Sequence, residues 1–277
     1  MIGLVCAAGQ EMSAIERIFD QGRPGRPAGD AVVIEGELSG APVVVVKTAS
    51  CGKTGAAAAT QFLIDRYEPT AIISFGAAGA LVDGLDVGDI VVAERLVLGD
   101  SGIVHGEGFR HTGSIVSNAG RTMCYKSYDS DPGLLSAART AGTRRASATG
   151  AAGPHFGAVV TCDQVILSKH TRKYLNETFG ALVVEMEAAA VAQVALSYGI
   201  PFLALKAVSD TIDFTADNLE VHLRQCGESR IAHWLRSARY LAVDPGSIRR
   251  LSELRDGMTD AARNAAEMVA RLIEALG

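Results

Sequence analysis

The chain has 277 residues, 48% of them hydrophobic and 21% charged, with 30 glycines and a net charge of −5. That is ample material for a core, and the acidic balance argues against broad attraction to nucleic acid or to an anionic membrane surface. No apolar run approaches the roughly 18 residues of a spanning helix, and the apolar start lacks the basic flank of a secretory signal. Five scattered cysteines, never spaced as CxxC, fit reduced thiols better than disulfides or a zinc site. The expectation is a soluble, cytoplasmic protein with no integral membrane segment and no nucleic-acid partner.

In chain order, residues 2–7 read as a buried strand and 12–19 as a helix. A loop rich in Pro and Gly covers 21–30, and 31–38 with 41–48 form a hairpin around Ser39-Gly40. An Ala-rich helix covers 54–67, a short strand 71–75, a glycine turn 76–79 and another strand 87–92. From 99 to about 130 the pattern weakens, which reads as a functional lid or a disordered segment. A helix follows at 131–141, a strand at 156–161 and a polar helix at 168–179. Two apolar strands, ending near Glu187 and Asp210, flank a helix at 188–198. This β-α-β order predicts a parallel crossover. Residues 219–241 and 248–276 are expected to be helical. The second carries an apolar stripe, Leu251, Leu254, Met258, Ala261, Ala265, Met268 and Leu272, that suits docking on the protein body. The division expected is a body over 1–243 and a C-terminal helical extension, 244–277, packed on it.

The carboxylates at strand ends carry the chemistry. In Val184-Glu185-Met186-Glu187, continued alternation would put Glu185 and Glu187 on one face with Met186 opposite. Carboxylates at the end of a buried strand need an engaging partner, and that end of an α/β sheet is where ligands bind. Glu11 follows the first strand and Asp210 the last. Each alone reads equally well as an ion-pair or helix-terminus carboxylate, but three at one end of a sheet favour a site. Cys51-Gly52-Lys53-Thr54-Gly55 lacks the first glycine of a P-loop, since Lys47 stands there, and Gly76-Ala77-Ala78-Gly79 lacks dinucleotide spacing. Both turns suit close approach of backbone amides to a small ligand. The histidines show no metal-ligand spacing, so neither metal nor cofactor is expected.

Six blocks then match a known pattern in order and spacing. They are Gly3-Leu4-Val5 through Glu11-Met12, Ser50-Cys51-Gly52-Lys53, Gly76-Ala77-Ala78-Gly79-Ala80-Leu81, Val87-Gly88-Asp89-Ile90-Val91-Val92, Val184-Glu185-Met186-Glu187-Ala188 and Ala207-Val208-Ser209-Asp210. Over roughly residues 1–232 the chain resembles the nucleoside phosphorylase/nucleosidase superfamily, most closely its 5′-methylthioadenosine/S-adenosylhomocysteine nucleosidase branch. The resemblance implies a three-layer αβα sandwich with a mixed central sheet, a homodimer, and cofactor-free cleavage of a purine N-glycosidic bond. It further implies that Glu11 activates the attacking water, Asp210 protonates purine N7 and Ser209 holds the Asp210 carboxylate. Glu187 would accept the ribose hydroxyls, with Glu185 beside it, while Met186 packs on the sugar and Ile166 offers backbone groups to the base.

Departures from the pattern bear on substrate. Val165 stands where the family carries an adenine-stacking aromatic, Ala77 where a hydroxyl is common, and Lys206 where an arginine is frequent. No arginine lies between Cys6 and Glu11, and the loss of anion ligands favours water over phosphate. The tail beyond about 244 is similar to that of hopanoid-biosynthesis phosphorylases. An adenosyl-hopanoid-type phosphorylase or hydrolase is therefore the rival enzyme reading, and a non-enzymatic purine-binding protein the third.

Overall fold

The computed structural model describes residues 1–25, 29–106, 108–118, 120–149, 152–214, 229, 244 and 246–277. The helix expected at 219–241 lies outside the described residues. Among the described residues no helix is long and apolar enough to cross a membrane.

A mixed sheet forms the middle layer. Its strands are β1 (Ile2–Cys6), β2 (Gln21–Pro24), β3 (Val32–Leu38), β4 (Ala41–Lys47), β5 (Ala71–Ala80), β6 (Ile90–Leu98), β11 (Tyr128–Asp129), β12 (His155–Thr161), β13 (Ala181–Glu185) and β14 (Phe202–Asp210). They run in the order β11-β6-β12-β13-β5-β1-β4-β3-β2, and β14 pairs with both β5 and β6. The pairings β5–β14–β6–β12–β13–β5 close a five-strand ring at one end of the sheet. Runs such as Val43-Val44-Val45-Val46 form strands buried on both faces, as β-branched residues between two helical layers do.

Helices α2 (Lys53–Tyr67) and α5 (Ala188–Ser197) cover one face, burying Ala56, Leu63, Ala189 and Val191 with Val44, Val46 and Ile72. On the other face lie α1 (Gly9–Glu16), α3 (Pro132–Thr149) and the last helix, here α6 (Gly246–Leu276), whose Ala261, Ala265, Met268, Val269 and Leu272 pack with Leu4, Ile73 and Leu205. Helix α4 (Lys169–Phe179) seals β12 and β13 through Leu175 and Phe179. The structure is thus the expected αβα sandwich. Of the predicted stripe of α6, Ala261, Ala265, Met268 and Leu272 lie in the core, while Leu251, Leu254 and Met258 are half-buried outside it.

Three local expectations are corrected. The glycine turn at 76–79 lies inside β5, which continues to Ala80, because Gly76 and Gly79 leave room for side chains crossing the strand. The weakly patterned 99–130 stretch is not the unstructured loop expected, though nothing in this contradicts a lid: it contains two antiparallel hairpins, β7 (Gly102–His105) with β8 (Gly108–His111) and β9 (Ser114–Asn118) with β10 (Arg121–Tyr125). Their largely exposed strands lack the hydrophobic alternation of a buried sheet. Finally, β13 and β14 are not a parallel crossover pair: β13 runs antiparallel to the end of β5 while β14 runs parallel to it. The intervening helix carries the chain across the ring instead.

Candidate active site

The end of β5 organises the acids. Glu11, in the first turn of α1, accepts hydrogen bonds at Oε2 from the backbone N–H groups of Ala7 (2.9 Å) and Ala8 (2.8 Å), and at Oε1 from that of Ala77 (2.8 Å). A Cβ on Gly76 would stand 2.2 Å from Oε1, so only glycine leaves this carboxylate its place. Two residues on, Ser209 Oγ lies 3.2 Å from the Ala78 carbonyl and 2.6 Å from Asp210 Oδ1. A Cβ on Gly79 would lie 3.1 Å from Asp210 Oδ2. Four consecutive residues of β5 thus contact both the first acid and the Ser209-Asp210 pair. Glu11, Ser209 and Asp210 are all buried.

The two glutamates after β13 separate. Glu185 turns inward, where Lys206 Nζ meets its Oε2 at 2.8 Å, Thr161 donates its hydroxyl, and the backbone N–H groups of Glu187 and Ala188 donate at 3.1 and 2.9 Å. It therefore caps α5 and neutralises a buried lysine. Burial opposes the charge on Lys206, but Glu185 first, then Glu187 and Glu11, hold its pKa above the ordinary value. Glu187 faces the other way and accepts from Gly52 N–H at 2.7 Å. Burial, then repulsion from Glu185, lifts its pKa from 4.5 to about 7, against the pull of Lys206. Glu11 also acts on Glu187 electrostatically, so these two predicted residues share one field. The expected alternation fails because α5 begins at Ala188, leaving Glu187 at a helix entry rather than on a strand. Met186, half-buried, approaches the Gly52 loop together with Glu187.

That loop is pinned from outside. Lys53 Nζ sits 2.6 Å from Asp100 and 3.5 Å from Asp163, while Asp163 Oδ1 accepts Lys53 N–H at 2.8 Å. Gly52, at φ +95°, has no room for a Cβ beside Asp163 Oδ1. The P-loop-like lysine is thus a strut within its own loop. Val165 is 64% exposed on the segment after β12. The Ile166 carbonyl accepts from Arg172 Nε at 2.8 Å.

Arg172 is the residue that sequence reasoning missed. Its signal was present: Arg172, Leu175 and Phe179 occupy one buried row of α4, and an arginine in an apolar stripe needs a partner. That partner is Asp210.

Three acids thus stand at the start of α1, the end of β14 and the entry of α5, Glu11 and Asp210 buried and Glu187 half-buried. The chain belongs to the phosphorylase superfamily, whose family model matches residues 1–274. It is 34% identical over 217 residues to a 5′-methylthioadenosine/S-adenosylhomocysteine nucleosidase of Listeria monocytogenes, covering 76% of this chain and 85% of the relative. A nucleosidase of the same description from Mycobacterium bovis is 31% identical over 222 residues, with the same coverages. The solved structure of the Neisseria meningitidis enzyme of that description, in complex with methylthio-immucillin-A, superposes with a TM-score of 0.72 at 25% identity, covering 99% of this chain and 98% of that one.

Proposed function

We propose that this chain is a purine nucleoside N-ribosyl hydrolase that releases adenine from a 5′-substituted adenosine of the methylthioadenosine/S-adenosylhomocysteine type. The observation that carries the reading is the grouping of Glu11, Ser209 and Asp210 around residues 76–79, with Glu187 entering from α5. Relatives of this description span most of the chain.

In the reaction, the C1′–N9 bond breaks, its electron pair moves into the purine, and the ribose gains oxocarbenium character. Asp210, which as a carboxylate paired with Arg172 must first take up a proton from water, delivers it to N7 so that the base leaves neutral. Glu187 accepts the ribose hydroxyls, and its charge with that of Glu11 favours the cationic sugar. Water adds to C1′ and passes its proton to Glu11, whose orientation three backbone donors fix. Ala77 supplies the strand amide holding Glu11, and Met186 packs on the sugar.

Water is favoured over phosphate because, among the described residues, four cations around the site are engaged. Lys53 is on Asp100, Lys206 on Glu185, Arg172 on Asp210, and Lys47 on the Thr48 carbonyl. The lipid-nucleoside alternative rested on the tail, whose Ala261, Ala265, Met268 and Leu272 pack in the core within the span of the family match. The working form is taken to be a cytoplasmic homodimer, since the hairpins expose Val104 and Ile115 (77% and 74% exposed), apolar surface suited to a second copy.

The deciding experiment is adenine release from 5′-methylthioadenosine with and without phosphate, by the parent and by Asp210→Asn. A parent rate independent of phosphate, with free 5-methylthioribose as product, and a variant slower by about 10² or more are expected. Parent-like turnover in the variant would remove Asp210 from the role of acid.

A further inference from the structure

The geometry points to Arg172 as the positioning residue for leaving-group protonation: it fixes Asp210 and the base-facing Ile166 segment in one rigid frame. This rests on the hydrolase reading above and deepens it.

Arg172 is the largest fully buried side chain among the described residues, 1% exposed. Its guanidinium ties four residues on three segments. Nε donates to the Ile166 carbonyl at 2.8 Å, Nη1 to the carbonyls of Thr211 (2.7 Å) and Ala80 (3.4 Å), and Nη2 to Asp210 Oδ2. The planar fork of arginine suits this: its donors diverge at fixed angles, which a lysine ammonium cannot reproduce. Burial of a cation this deep is costly unless it is paired and hydrogen-bonded, and here an ion pair and four hydrogen bonds offset that cost.

The consequence lies on Asp210. Oδ2 is held by Arg172, and Oδ1 receives the Ser209 hydroxyl at 2.6 Å. The carboxyl plane is thereby fixed by two partners from different elements, α4 and the end of β14. The same guanidinium holds the Ile166 carbonyl, so the acid and the segment facing the base share one reference point. Misplacement of a proton donor by an ångström is enough to cost orders of magnitude in rate. Arg172 also stabilises the carboxylate that remains once Asp210 has given up its proton. Gly79 completes the frame, because a Cβ there would lie 3.1 Å from Asp210 Oδ2 and 3.3 Å from Arg172 Nη2.

The test compares leaving groups. Adenine from 5′-methylthioadenosine needs a proton, whereas p-nitrophenolate from p-nitrophenyl β-D-ribofuranoside departs without one. In Arg172→Lys we expect adenine release to fall about 10²-fold, with p-nitrophenol release within about threefold of the parent. Gly79→Ala, which keeps the arginine and intrudes on the pair, should show the same selective loss, and it serves if the lysine variant does not fold. Equal loss on both substrates in folded variants, or adenine release within threefold of the parent, would overturn the assignment. A parent that cleaves neither substrate would refute the hydrolase reading itself and the frame with it.

Discussion

Lys206 Nζ and Glu185 Oε2 meet 2.8 Å apart beneath the site, with both side chains almost completely removed from water. The pair joins β14, which carries Asp210, to the entry of α5, which carries Glu187. It also supplies the positive charge against which Glu11 and Glu187 can coexist.

Removing one member therefore leaves the other buried and unmatched. Lys206→Met is expected to cost about 3–5 kcal/mol of stability. Adding Glu185→Gln to it should recover part of that loss, with a coupling of about 0.5–3 kcal/mol. Urea unfolding of both singles and the double gives the cycle. Strictly additive singles would mean that the pair is not the floor of the site.

Glu187 gives the protein a defined response to pH. Its folded pKa of about 7 lies above the ordinary 4.5, so between these values the native state keeps a proton that the unfolded chain has lost. Its contribution to stability is fully present below pH 4.5 and is lost as pH rises through 7, a change on the order of 3 kcal/mol. Glu187→Gln should gain melting temperature relative to the parent at pH 8, and this advantage should shrink toward pH 4.5. In the role proposed for Glu187 its ionised form accepts the ribose hydroxyls, so kcat/KM of the parent should rise through an acid limb near pH 7. Parallel melting curves for parent and variant across this range would exclude the shifted carboxyl.

Gly76 tests the seat of Glu11. A methyl group there meets Oε1 at 2.2 Å and the carboxyl carbon at 2.6 Å, forcing Glu11 off the Ala77 N–H. Gly76→Ala should lower kcat about 10²-fold or more. Gly9→Ala is the control, since no atom lies within 4 Å of its Cβ position, and near-parent turnover is expected. If Gly76→Ala turns over as fast as Gly9→Ala, Glu11 does not act from this position.

The hairpins β7–β8 and β9–β10 extend from strands beside the site, and they expose Ile103, Val104, Ile115 and Met123. If they close over a nucleoside in their own subunit or a partner's, hydrogen exchange at 102–125 should slow when 5′-methylthioadenosine or adenine is bound. Unchanged exchange there would assign the closing role to other segments.

The three-layer fold was legible because buried strands such as Val43-Val44-Val45-Val46 alternate with Ala-rich helices at recognisable lengths. Glu11, Glu187 and Asp210 stood out because each acid follows an apolar run. Contacts across the sheet were not legible. Glu185 and Glu187 look equivalent in sequence, and only the position of Lys206 on β14 turns one inward while the Gly52 loop engages the other. Arg172 was passed over because its helix is polar on most sides, and its partner lies 38 positions away. The register of β13 against β5 likewise depends on ring closure, a property of several strands together and of no single segment.

Strand β14 is hydrogen-bonded along both flanks, to β5 and to β6, before it delivers Asp210. A strand fastened on both sides has no slack with which to slide or hinge. The proposed acid therefore stands on the part of the molecule with least freedom, and any opening for substrate and product falls to peripheral segments such as the two hairpins.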